Sequence, residues 1–192
     1  LDFILEDNDT IPADKGIFLN NTRRLNKKIC NYISSSFYDS RLTSDPITKT
    51  RSVNLKLDPI KNEGLFYVPI DHTGCSQRSD EEADLIEKTY NKIINKEFKV
   101  DKNSGKISPK DIMVVAPYNA QANNIRERLK KKFKDDVRVG TIDLFQGQEA
   151  KVVLISMTTS DVESLPRHKD FFFSRNRLNV AISRAECVAI II

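Results

Sequence analysis

Two apolar runs constrain the fold of this chain more than any other feature: Ile112-Met113-Val114-Val115-Ala116, and Val152-Val153-Leu154-Ile155 closed by Ser156. A strand with one wet face alternates apolar and polar residues. A strand apolar at every position is covered on both faces, as in a parallel sheet with helices on either side. Cys187 to Ile192 predicts a third such strand, and Val137-Arg138-Val139, Gly64-Leu65-Phe66-Tyr67-Val68 and Gly16-Ile17-Phe18-Leu19 predict shorter ones. Between them lie helical stripes. Leu25, Ile29, Ile33 and Phe37 share one face over residues 24–38. Ala83, Ile86, Tyr90 and Ile93 follow Ser79 and Glu82, a capping-box pair, in a helix reaching about Lys96. Ala122, Ile125, Leu129 and Phe133 mark a helix from Asn119, its expected cap, to about Lys134, and a last helix is expected from Asn176 to Ala185. This alternation predicts an open, doubly wound α/β domain, with a mostly parallel sheet, helices on both faces, and ligands at the carboxyl ends of the strands.

At 192 residues the chain has the length of one domain. Residues 1–15 are acidic and irregular and read as a linker or the remnant of a preceding region; residues 16–192 are the domain. Residues 39–70, with Pro46, Pro59, Pro69 and the alternating Val53-Asn54-Leu55-Lys56-Leu57, read as a small loop and strand insertion, and Lys99 to Lys106 as a polar turn. The chain opens without Met and stops inside an apolar strand, so both ends are expected to be cut from a longer protein. No run of about 18 apolar residues predicts a membrane span. Cys30, Cys75 and Cys187 are scattered, which argues against a disulfide framework or a zinc site and for a reducing, cytoplasmic compartment. His72 and His168 stand in polar loops without metal-ligand neighbours. Thirty-one basic residues against 27 acidic ones permit a polyanionic partner without demanding one; Lys130, Lys131, Lys132 and Lys134 suit the C-terminal turn of a helix, where the dipole favours cations.

Four segments stand out. Thr22-Arg23-Arg24-Leu25 runs on to Ser36-Phe37-Tyr38. Pro117-Tyr118, with Gln121, follows a strand and opens a helix whose free N–H groups suit a phosphate. Thr141-Ile142-Asp143-Leu144-Phe145-Gln146-Gly147-Gln148-Glu149 leads into the Val152 strand, and Arg177-Leu178-Asn179-Val180-Ala181-Ile182-Ser183-Arg184-Ala185 precedes the last one. Arg177 and Arg184, two helical turns apart, are expected on one helix face.

In that order, these segments resemble motifs of superfamily-one nucleic-acid helicases, in particular the subgroup containing the nonsense-mediated-decay helicase and the Okazaki-fragment nuclease–helicase. The resemblance covers roughly residues 16–192 and implies the second, C-terminal RecA-like motor domain. It implies Arg24 and Arg184 as catalytic arginines on the transferred phosphoryl group. Arg23 would stand where the family stacks an aromatic on adenine, with Gly147, Glu149 and Arg177 also toward the nucleotide. It implies Pro117, Tyr118, Gln121, Thr141 and Asp143 along a single-stranded nucleic-acid track, DNA favoured over RNA. The implied cofactor is ATP with Mg2+.

No GxxxxGK[ST] loop and no strand ending in Asp-Glu occur in the chain. Within the family both belong to the first RecA-like domain, the expected partner in the same polypeptide. The chain by itself is therefore expected neither to hydrolyse ATP nor to unwind a duplex. The alternatives are a degenerate helicase-like domain kept as a non-catalytic scaffold for nucleic acid or protein, and a nuclease or other stand-alone α/β enzyme, against which the lack of a clustered Asp/Glu/Lys set in the sequence counts.

Overall fold

A computed structural model describes residues 10–12, 14–160 and 175–192. Most of the expected 1–15 linker, and His168, lie outside the described residues. In chain order the elements are β1 (Asn21–Thr22), α1 (Lys27–Phe37), β2 (Thr43–Ser44), β3 (Ser52–Val53), β4 (Gly64–Tyr67), α2 (Asp80–Ile93), β5 (Glu97–Val100), β6 (Asn103–Lys106), β7 (Ile112–Val115), α3 (Asn119–Phe133), β8 (Arg138–Gly140), β9 (Ala150–Ile155), α4 (Arg175–Ile182) and β10 (Ala185–Ile191).

The apolar runs become the middle of one parallel sheet, ordered β4-β10-β9-β7-β8. Along β7, Ile112, Val114 and Ala116 face one core with α2 and α3, while Met113 and Val115 face another with α1 and α4. Every residue from Ile112 to Ala116 and from Val152 to Ile155 is fully buried, so neither face leaves room for a polar alternate. Burying each Ile, Val, Leu or Met side chain among them contributes about 1.5–3 kcal/mol. Cys30 and Cys187 are buried free thiols, and burial pushes Cys187 up to about 12.

Several expectations fail for identifiable reasons. Gly16–Leu19 forms no strand: Ile17 and Leu19 are 88% and 81% exposed, so the run has no layer to pack on. The polar stretch at Lys99–Lys106 is part of a hairpin, β5–β6, whose side chains largely face solvent. β3 pairs antiparallel with β5, so the insertion is a three-stranded sheet drawing on residues 97–106, while β4, expected within it, joins the central sheet. α3 is capped at Tyr118, not Asn119. α2 stops at Ile93 because Asn95 takes a left-handed conformation, φ 64°. α4 stops at Ile182, so Arg184 sits in the turn before β10 and the shared helix face with Arg177 does not exist.

Candidate functional site

The segment Thr141 to Glu149 crosses from the carboxyl end of β8 to the amino end of β9 in nine residues. So short a crossover stays under the sheet. Its 3-10 turn, Ile142–Phe145, buries Ile142 and Phe145 against the α1 side of the core. The motif therefore presents one end at each edge of the sheet, and the expectation that every motif lies at the carboxyl ends is corrected. Pro117, Tyr118 and Thr141 lie there, half-buried, with exposed Asp143 on the turn behind them. Arg24, Glu149 and Arg184 gather at the amino ends of β9 and β10.

At that amino edge the Arg24 Nε donates to Glu149 Oε2 at 2.9 Å. Both side chains are more than a third open to water, so the pair is worth about 0–1 kcal/mol and exchanges readily for a stronger anion. Arg184 Nη1 donates to the Gln148 carbonyl at 3.2 Å, and its Nε is enclosed without an acceptor among the described residues. Burial and the like charge of Arg24 push the Arg184 guanidinium below its ordinary value, and Glu149 opposes them. Two arginines thus stand on neighbouring residues, Arg24 on the Glu149 carboxylate and Arg184 on the Gln148 carbonyl, and the Arg184 Nε is an unused donor. Gly147 takes φ 77°, which favours glycine, and a Cβ there would meet nothing within 4 Å. The backbone is open to a close ligand at that point.

Beside the pair opens a cleft of about 610 Å³, walled by Arg24, Arg51, Glu149, Asn179 and Ser183, with Phe18 and Tyr38 behind. The two rings stand 5.8 Å apart, and Asn179 Nδ2 donates to the Tyr38 hydroxyl at 3.1 Å. Arg23 is on the rim, 84% exposed and held by Asp45 at 3.2 Å, so the aromatic surface in the cleft comes from Phe18 and Tyr38. Arg177 is exposed on α4 and is not part of the cleft wall. Arg184 and Gly147 stand beside the cleft and not in its wall; with Arg24 they make a donor set that fits a polyphosphate, two guanidiniums, an enclosed N–H and an unobstructed glycine. Among the described residues no three His, Cys, Asp or Glu stand together to hold a metal ion.

Two supporting arginines escaped the sequence reading. Arg51, 6% exposed, donates to the Arg24 carbonyl at 2.5 Å and forks onto Asp101 at 2.9 and 2.8 Å. It ties the β5–β6 hairpin to the backbone of Arg24. Hydrogen bonds from Arg51 hold the Asp101 carboxyl below the usual range. Arg138 donates to the Glu149 carbonyl at 3.1 Å and to Gln148 Oε1 at 3.0 Å, fixing the Gly147 loop. Both bonds join residues far apart or across a turn, and no local pattern announces them.

At the carboxyl edge Gln121 is a correction. It is fully buried, not exposed to a nucleic-acid strand. Its Oε1 accepts from Ser79 N–H at 3.0 Å, and its Nε2 donates to the Ser79 carbonyl at 3.0 Å and to Ser156 Oγ at 3.1 Å. That uses the polar capacity a buried amide must satisfy. The same knot holds Glu82, 1% exposed, which accepts from Ser156 Oγ at 2.5 Å and Thr158 N–H at 2.7 Å and pairs with His72 Nε2 at 3.0 Å. Ser79 caps α2 as expected, accepting from Glu82 N–H, but the Glu82 carboxylate turns inward instead of completing the box. His72, a plain loop residue by sequence, is thereby part of the core.

A family model described as an AAA domain matches residues 5–192. The chain is 34% identical over 179 residues to the DNA polymerase alpha-associated DNA helicase A of Schizosaccharomyces pombe and 28% identical over 179 residues to the protein of that name in Saccharomyces cerevisiae; each match covers 87% of this chain and 26% of the relative. An uncharacterized ATP-dependent helicase of Methanocaldococcus jannaschii is 27% identical over 187 residues, covering 88% of this chain and 25% of the relative. The chain thus spans about a quarter of the length of these relatives. With the motifs in family order on a parallel α/β sheet and the family model matching nearly from end to end, the chain belongs to the AAA domain family and is a helicase domain of the superfamily-one type.

Proposed function

We propose that this domain is the second half of a two-domain ATP-driven motor on single-stranded nucleic acid, DNA favoured, and that Arg24 and Arg184 are its arginine fingers. The observation that carries the reading is that both stand at one edge of the sheet, Arg24 on Glu149 and Arg184 on the neighbouring Gln148 carbonyl, beside the open backbone of Gly147. Bound ATP supplies the transferable phosphoryl group, and it and Mg2+ are held mainly by the phosphate-loop domain that this chain lacks.

When the two domains close, Arg24 exchanges Glu149 for terminal phosphate oxygens, and Arg184 adds its unused Nε. Planar guanidiniums match such oxygens bidentately and stay charged at any working pH. Glu149, released, is free to accept from a ribose hydroxyl. The crossover from Thr141 to Glu149 joins this edge to the other, where Pro117, Tyr118, Thr141 and Asp143 grip the strand. A grip that differs between the closed and open states turns the cycle into stepping; an equal grip would move nothing.

Gly147→Ala tests the nucleotide side. The added methyl meets no protein atom, and the left-handed backbone costs about 1–2 kcal/mol. In the domain joined to a phosphate-loop partner, the variant is expected to stay folded and lose most strand-stimulated ATP hydrolysis. Full turnover in a folded Gly147→Ala protein would remove the nucleotide from this loop.

A further inference from the structure

The insertion is one of the stretches in which positive charge is in excess. Residues 46–63 and 96–110, which build the insertion and its hairpin, hold nine basic and four acidic residues, an excess larger than the +4 of the whole chain. A groove of about 850 Å³ beside β3 is lined by Lys28, Lys49, Lys56, Lys61 and Lys99. It continues through the shared Ser52, Asn62 and Lys99 into a second groove of about 510 Å³ that reaches Lys106. Lys28 pairs with Glu63, whereas Lys49, Lys56, Lys61, Lys99 and Lys106 are exposed and make no ion pair with any described residue. Lys56 also holds φ 50°, a left-handed backbone that a lysine adopts at a cost and that tends to persist where function needs it.

The chemistry of the lining selects the partner. Protein interfaces are depleted in lysine and anchored by aromatic residues, and single strands stack their bases on exposed rings. This groove offers lysines with Ser52, Asn54, Asn62 and Ser104 between them, outnumbering its three carboxylates, Asp58, Glu63 and Glu97, and its one ring, Phe98, is half-buried beneath Lys151 at 4.2 Å. Lysines and small polar groups without a stacking face match the outward phosphates of a duplex, whose bases are already stacked inside. The groove also lies at the edge of the sheet opposite Pro117, Tyr118 and Thr141, because Arg51 ties the hairpin to Arg24.

We infer that this lysine groove is a second nucleic-acid site, binding the phosphate backbone of a duplex without reading its sequence. The inference rests on the reading above that nucleic acid is the partner, but not on the arginine fingers. Its test is the anisotropy of a labelled duplex, titrated at several salt concentrations with the protein and with Lys56→Ala/Lys61→Ala/Lys99→Ala. The triple variant is expected to bind at least about 10-fold more weakly, with the log–log salt slope shallower by about 2.7 for three lost phosphate contacts. An equal charge change elsewhere, Lys88→Ala/Lys92→Ala/Lys131→Ala, is expected to stay within about 2-fold of the parent because none of the three lines either groove. A melting curve checks folding; if the triple variant unfolds, Lys61→Glu alone reads the same slope. Parental affinity in the variant, an equal loss in the control, a loss confined to single strands, or competition by polyglutamate as strong as by duplex would each overturn the inference. Strand-stimulated ATP hydrolysis of the joined domains is expected to be unchanged by the lysine substitutions, so failure of the groove and failure of the motor reading are told apart.

Discussion

Arg184→Ala, in the domain joined to its phosphate-loop partner, is expected to cut strand-stimulated ATP turnover by about 10³–10⁵-fold while nucleotide affinity changes little. The side chain stands in a place that a cation would not choose for itself. It is partly buried, the like charge of Arg24 works against its own, and its Nε has no acceptor among the described residues. These costs are offset only when negative charge arrives, and most of all when that charge builds on a transferring phosphoryl group. An interaction that grows toward the transition state appears in kcat more than in affinity. Arg184→Lys is expected to rescue little, since one ammonium cannot replace the fork that reaches both Gln148 and the incoming oxygens. Arg24→Ala should lose less. Arg24 shares its charge with Glu149 on an exposed surface, and removing it frees Glu149 without leaving a buried group unpaired.

The largest expected loss of stability comes from the other edge of the sheet. Glu82→Ala strands the Thr158 N–H, leaves Ser156 Oγ without its acceptor and leaves His72 without a partner, all in the interior. Each unsatisfied group costs about 1–3 kcal/mol, and the Ser156 hydroxyl can turn to Thr158 Oγ1, so about 3–5 kcal/mol is expected in all, near 10 °C in Tm. Thr158 is held at φ 72°, and releasing its N–H removes what keeps that turn in place. Glu82→Gln keeps the acceptor for Thr158 and should lose much less. Burial raises the Glu82 carboxyl, and the Ser156, Thr158 and His72 contacts oppose the shift. A group raised in the folded state stabilises most below its ordinary value and loses that contribution as pH rises through the folded one. Melting curves of parent and Glu82→Gln should therefore converge as the pH is raised from acid toward neutral. A gap that widens with pH would mean that the carboxylate is favoured in place, not strained by burial.

What the sequence disclosed follows from how local each signal was. Ile112 to Ala116 and Val152 to Ile155 could be read as central strands because both neighbouring layers leave their mark on every residue. Gly16 to Leu19 looked alike at shorter length and failed, because four apolar letters do not record whether a second layer exists. The β5–β6 hairpin was hidden for the opposite reason: its partners are each other and β3, and solvent leaves no apolar pattern. The motif segments located Arg24, Glu149 and Arg184, but not the edge on which they meet, since that depends on a crossover passing under the sheet. Arg51 and Glu82 were out of reach because their partners are 50 and 74 residues away in the chain. Gln121 was misplaced because a motif position says that a residue matters, not whether it touches a ligand or the core.

The most direct measurement is a crystal structure of this domain joined to its phosphate-loop partner with a non-hydrolysable ATP analogue bound. Arg24 is expected to be parted from Glu149, with its guanidinium and the Arg184 Nε both within hydrogen-bond distance of the terminal phosphate. Arg24 still locked to Glu149, with Arg184 turned from the nucleotide, would contradict it.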